Sequence, residues 1–307
     1  MKNLKYIIAM CGLLTVVACT NRENEPAADL SADNWVMSRS ADDAAIEDLR
    51  MTGKSTGKGK DFSQKITFDT NGNGTWDQKP VWDEGDIFDL IAFYPAGTEL
   101  PTEIGTDAEY QMQYWPEKNK ANRPTTFKLK HLLGQLVVHI TVEELHEEHH
   151  MPRNVELMLC QRATVNYRNE KAEAIASSAK WQEVTGFKQE QITSDAHDGE
   201  MELYKWVMET PVYVIPQTIP ADLLGASFWV DDPSFGEAHY EFFPPAPITL
   251  AAGKITHLYL GVKYKHEEDE GEGGDGGDTP TFTVTGFEVK VTDWVEGTTN
   301  NGNAALQ

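Results

Sequence analysis

The sequence predicts an all-β protein built from two tandem β-sandwiches that follow a leader and a tether. Three observations carry this. Short runs of alternating apolar and polar residues recur from Ile66 to Trp294, turns rich in Asn, Gly and Pro separate them, and almost no stretch has helical composition. The chain has 307 residues, of which 40% are apolar, so it can bury a sizeable core.

The first segment is a leader. Met1 to Lys5 is a short basic stretch, and Tyr6 to Ala18 is an apolar run too short to span a membrane comfortably. It ends in Val16-Val17-Ala18-Cys19, which resembles the bacterial lipobox. That resemblance implies cleavage between Ala18 and Cys19, acylation of the Cys19 thiol and firm anchoring in the outer membrane by several acyl chains. Residues 1–18 are thus read as a signal peptide and residues 19–60 as a lipidated tether. Within the tether, Asp42 to Arg50 is read as one short helix and Gly53 to Lys60 as a flexible basic patch. Arg39 and Arg50 are expected to be exposed to trypsin-like proteases.

From Ile66 onward the pattern is β. Ile66-Thr67-Phe68 leads into an Asn- and Gly-rich turn, and Ile87 to Tyr94 is a mostly apolar strand stopped by Pro95. Leu136, Val138, Ile140 and Val142 alternate along one face of the next clear strand. The charged stretch Glu143 to His150 breaks the pattern, so one sandwich is assigned to residues 61–150 and the other to 151–307. Strands are expected at Val155 to Cys160, Leu203 to Met208, Val212 to Ile215, Ser227 to Val230, His239 to Phe243 and Ile255 to Tyr264. Asp231 to Gly236 reads as a hairpin loop, and Lys171 to Trp181, rich in Ala, as the one further helix. Residues 266–279 are an acidic, Gly-rich linker, and residues 280–294 form a last strand. Its apolar phase shifts at Gly286, which predicts a bulge or a bend.

Composition narrows the function. Lys and Arg number 26 against 49 Asp and Glu, a net charge of -23 that repels a phosphate backbone and excludes nucleic acid as a partner. After loss of the leader and acylation of Cys19, Cys160 is the one thiol left, so no internal disulfide can form. Its strand position suits a small buried residue. His146-Glu147-Glu148-His149-His150 matches the H-E-x-x-H zinc pattern, but that motif works on a helix. Here it follows a strand and Pro152 lies two residues beyond, so it reads as a charged loop. Asp69, Asn71, Asn73 and Asp77 resemble the start of a calcium loop, yet Pro80 stands where the bidentate Glu belongs, and a polar β-turn is the simpler reading. Trp76, Trp82, Trp115 and Trp181 sit in polar contexts where they could stack on sugars. The chain has no nucleophile elbow, P-loop, C-x-x-C or dinucleotide fingerprint, so no enzymatic activity and no cofactor are expected.

Three stretches in order resemble the fimbrillin-like family, the type V pilins and their relatives. Pro80-Val81-Trp82-Asp83-Glu84-Gly85-Asp86-Ile87 runs into Ala92-Phe93-Tyr94-Pro95, Tyr213 to Ile219 contains the Ile-Pro-Gln strand end, and Ala252 to Leu260 is followed by Val289 to Trp294. The resemblance implies two transthyretin-like sandwich domains, lipoprotein export to the cell surface, and a structural or adhesive role in fimbriae with other fimbrial subunits as partners. A host or glycan ligand is possible for such a subunit, and a monomeric glycan-binding lipoprotein is the alternative reading. In shaft pilins of the family a trypsin-like protease removes the N-terminal segment, and a strand of another subunit fills the groove left behind. Carried over, Arg39 or Arg50 would be the processing point, and Phe282, Val284, Phe287, Val289 and Val291 the inward positions of the donated strand.

Overall fold

The computed structural model describes residues 36–37, 47–69, 73–124, 126–144, 152–191, 202–223, 225–232, 236–265 and 281–294. They form an all-β structure. The first part of the chain supplies β1 (Val36–Met37), β2 (Asp48–Ser55), β3 (Phe62–Phe68), β4 (Gly74–Trp76), β5 (Phe88–Tyr94), β6 (Glu103–Ile104), β7 (Gln111–Lys118), β8 (Thr126–Phe127) and β9 (Lys130–His131). The rest supplies β10 (Gly134–Glu144), β11 (Pro152–Cys160), β12 (Ala163–Asn166), β13 (Lys171–Ala174), β14 (Ala179–Val184), β15 (Phe187–Gln191), β16 (Glu202–Met208), β17 (Val212–Val214) and β18 (Gln217–Ile219). It ends with β19 (Ala226–Asp232), β20 (Gly236–Phe242), β21 (Ile248–Leu250), β22 (Lys254–Lys265) and β23 (Thr281–Asp293).

The first large sheet is antiparallel, in the order β4-β3-β2-β5-β7-β9. Its centre is β5, apolar at nearly every position because both of its faces are covered. Phe88, Leu90 and Ala92 face a core with Leu49, Met51, Ile66, Phe68 and Trp76, roofed by Trp82 and Phe127. Rings meet there edge to face, Trp82 against Phe88 at 5.2 Å and Phe62 against Phe88 at 5.4 Å. Ile91 and Phe93 point the other way, into a smaller core with Met112, Leu132, Leu133, Ala163 and Ile215. That core joins the first sheet to the β12–β13 hairpin.

Two expectations fail in this region. Residues 48–55 are a strand and not the end of a helix or a flexible patch, because Leu49 and Met51 alternate with Arg50 and Thr52 and drop into the core between β3 and β5. Gly53 belongs to that strand for a packing reason. A Cβ there would lie 2.1 Å from the Phe62 ring. Gly53→Ala is therefore expected to destabilise the fold by about 2 kcal/mol, read from chemical denaturation.

The second assembly is a sandwich. One sheet runs β15-β16-β10-β22-β23, with β17 also on β10, and the other runs β14-β11-β19-β20. Leu136, Val138, Ile140 and Val142 of β10, Val155, Leu157 and Leu159 of β11, and Leu258, Leu260 and Val262 of β22 fill the space between them. The alternation predicted for β10 holds, but the strand does not belong with the segment that precedes it. Assigned by sequence to residues 61–150, β10 pairs with β16, β17 and, in parallel, β22, all later in the chain. The helix expected over residues 171–181 is replaced by β13, one 3-10 turn at Ala176–Ser178 and β14. Pairing of β13 with β12 and of β14 with β11 overrides the local Ala content. The Ser178 hydroxyl closes the turn by donating to the Ile175 carbonyl at 2.6 Å. The expected hairpin between β19 and β20 is present in register from Ala226↔Phe242 to Asp232↔Gly236.

Candidate assembly site

The terminal strand β23 lies at the edge of its sheet and pairs antiparallel with β22 from Lys254↔Asp293 to Lys265↔Thr281. The register slips once. Gly261 faces Gly286 while Val262 faces Val284, leaving Thr285 as the extra residue of a bulge where the sequence phase shifts. Beyond it Phe287 and Val289 pack on the sandwich core, with the Phe287 ring 5.0 Å from Phe242. Val291, expected to point inward, is 52% exposed, so the buried phase stops at Val289. Phe282 and Val284 take their places in the register opposite Tyr264 and Val262.

The strand ends in a clamp that the sequence did not disclose. Trp294 stacks on His131 of β9 at 3.9 Å and 15°, and on Tyr213 at 5.7 Å. Its backbone N–H donates to the Gly253 carbonyl at 3.1 Å. Gly253 sits at φ +65, a left-handed turn that its lack of a Cβ permits, and donates its own N–H to Leu133. The last strand is thereby tied to the first sheet.

On the outer face beside it lies a cluster of imidazoles. His139 Nε2 and His257 Nδ1 are 3.0 Å apart, the His139 ring stacks on Tyr259 at 4.2 Å, and Lys290 Nζ of β23 lies 4.8 Å over the Tyr259 ring. Burial first, then the Lys205 and His257 charges, pulls His139 from 6.5 down to about 4. Burial, then Lys290, also lowers His257. In the unfolded chain both titrate near 6.5, so the stability they contribute is whole above that pH. It declines as the pH falls below 6.5 and, for His139, is fully lost below about 4. Unfolding in urea at pH 7.5 and pH 4 is expected to show a loss of about 2 kcal/mol that His139→Gln removes.

At the N-terminal end, β1 pairs in parallel with β8, Val36 opposite Thr126 and Met37 opposite Phe127, whose side chain is buried in the first core. Arg39 lies outside the described residues. Arg50 sits within β2 between Lys65 of β3 and Phe93 of β5, with its guanidinium donating to the Gly97 carbonyl and, at 3.3 Å, to Ser63 Oγ. A protease binds several residues of extended, unpaired chain, so Arg50 is not the open cleavage point expected.

The remaining candidates fall into place. Ala18, Cys19, Asn71 and His146 to His150 lie outside the described residues. The Asp69 carboxylate accepts from the Asn73 backbone N–H at 2.8 Å and from its side-chain amide at 3.0 Å, which ties the end of β3 to the start of β4. Asp77 donates its backbone N–H to the Lys65 carbonyl of β3. Among the described residues no group of three or more His, Cys, Asp or Glu could hold a metal ion. Cys160 is half-buried, and burial raises its thiol pKa. Trp76 and Trp82 are core residues, each 5% exposed, and Trp115 packs against the same core, while Trp181 is 37% exposed. The sugar-stacking surface therefore loses its first three members. A cleft of about 470 Å³ opens between β5, β7 and the β12–β13 hairpin. Its polar groups are engaged by neighbours: Lys54 with Asp61 at 3.0 Å, Tyr114 with Asp89 at 2.8 Å and Asn166 with Glu173 at 3.3 Å.

The family model described as fimbrillin-like matches residues 36–294. A search of curated proteins found no match. Among solved structures, a Parabacteroides distasonis protein provisionally assigned to cell adhesion superposes with a TM-score of 0.48 at 9% identity, over 86% of this chain and 92% of that one. A Bacteroides uniformis protein of the same provisional assignment gives 0.47 at 12% identity, over 85% and 98%. A fimbrial protein from Bacteroides vulgatus gives 0.44 at 11% identity, over 80% and 92%.

Proposed function

The chain belongs to the fimbrillin-like family, and on that footing we propose that it is a pilin-like subunit of a bacterial surface fimbrium, structural or adhesive, that joins its neighbours by strand exchange. The observation that carries this is the family match across residues 36–294, which spans both sheet assemblies and the terminal strand. Two features support it. The strand β23 is an edge strand, so its removal strips one neighbour from one sheet and breaks no strand order within it. The short β1 is held by a two-residue parallel pairing, so its loss would uncover the backbone of β8 beside the buried Phe127.

In this reading the protein is exported, lipidated at Cys19 and carried on the outer membrane, with two transthyretin-like domains, and it acts through assembly and not through catalysis. An Arg-specific protease cuts after Arg39, β1 departs, and a strand spanning residues 280–294 of another subunit enters. Residues 266–279, acidic and Gly-rich, give that strand reach. Limited digestion followed by N-terminal sequencing is expected to find a product starting at Ser40, with the Arg50 bond intact. A first product starting at Met51 would refute the processing step.

A further inference from the structure

We propose that His139, His257 and Lys290 form a proton-sensitive latch on the terminal strand, so that mild acid loosens the centre of β23 from β22 and favours its release. The consequence for fimbrial assembly rests on the strand-exchange reading above, but the latch itself is a property of the single chain.

The two rings can share only one hydrogen. His139 Nδ1 is buried without a hydrogen-bond partner, so a proton there would be left unsatisfied. The hydrogen of His139 is therefore placed on Nε2, where it points at His257 Nδ1, 3.0 Å away. His257 then carries its own hydrogen on Nε2. A further proton has no comfortable place. It either breaks the contact between the rings or moves the His139 hydrogen to the buried, unpartnered Nδ1.

The charges around the pair add to this. Lys205 of β16 lies on one side, with Glu190 of β15 held to it at 2.6 Å. Lys290 of β23 lies on the other side, opposite His257 in the register, with Glu288 held to it at 3.3 Å. Tyr259 is sandwiched between the His139 ring and the Lys290 ammonium. Each nearby carboxylate is thus matched to a lysine and little remains to balance an imidazolium. Departure of β23 takes Lys290 away and opens His257 to water. The protonated pair is more at ease without the strand, and by linkage a proton that prefers the released form weakens the bound one. The end of the strand is held separately. Trp294 there is stacked on His131 and Tyr213, away from the imidazole pair, so loosening is confined to the middle of β23.

Amide hydrogen exchange of the purified protein at pH 7.5 and pH 5.0 tests this, with times scaled for intrinsic exchange and peptides over residues 286–291 compared with residues 88–94. The latch predicts that protection of residues 286–291 falls about tenfold more than that of the reference strand at the lower pH. The added loss should vanish in the His139→Gln, His257→Gln double variant. It should shrink in Lys290→Met, which leaves both imidazoles in place and is at an exposed site. Equal ratios at the two pH values, or a pH effect undiminished in Lys290→Met and in the double variant, would overturn the latch. Exchange is read on monomer, so the latch can hold where a polymerisation assay fails and can fail where that assay succeeds.

Discussion

Phe88→Ala is expected to destabilise the protein by about 4 kcal/mol, the largest effect of any single truncation foreseen here. The side chain is fully buried at the middle of the first core. It touches Phe62 and Trp82 edge to face at 5.4 and 5.2 Å, so truncation removes two ring contacts and opens a cavity in the first core. Urea denaturation measures it, with an unchanged slope expected if the loss is confined to the core. A cost under 1 kcal/mol would mean that the first sheet packs differently around β5.

Removal of residues 280–307 is expected to cost about 4 kcal/mol and to lower the melting temperature by about 10 °C. The deletion strips Phe287 and Val289 from the sandwich core, removes the Trp294 stack on His131 and leaves β22, still paired with β10 on its other side, with an open outer edge along its whole length. An edge with that much unpaired backbone binds a strand supplied in trans. A synthetic peptide of residues 281–294 is therefore expected to restore most of the lost melting temperature when added in excess. A truncated protein that melts where the intact one does would show that β23 contributes nothing to its sheet.

The strands legible in the sequence are those whose apolar face is long and regular. Leu136 to Val142 alternates through four inward residues, and Ile87 to Tyr94 is apolar at every position but Asp89, so each is placed from pattern alone. The phase shift at Gly286 located the bulge for the same reason. The strand at residues 48–55 was lost because only Leu49 and Met51 mark its inner face, while Gly53 and Lys54 look like linker until Phe62 is seen lying over the glycine. Sheet membership was harder than strand identity. The parallel pairing of β10 with β22 joins residues far apart in sequence, and turn signals between neighbouring segments carry no trace of it. The same holds for the site. The terminal strand is a local signal, whereas the His139–His257 contact spans 118 positions and the Trp294 stack on His131 needs both sheets in place.

The measurement that bears most directly on the central claim is assembly after processing. Purified protein is treated briefly with an Arg-specific protease and run without boiling on a denaturing gel, beside an untreated sample and a treated sample lacking residues 280–307. Strand exchange predicts a ladder of regular multiples in the treated intact protein alone, because only it has both an opened groove and a strand to donate. A protein that is trimmed at its N-terminal segment and still runs as a monomer would contradict the account.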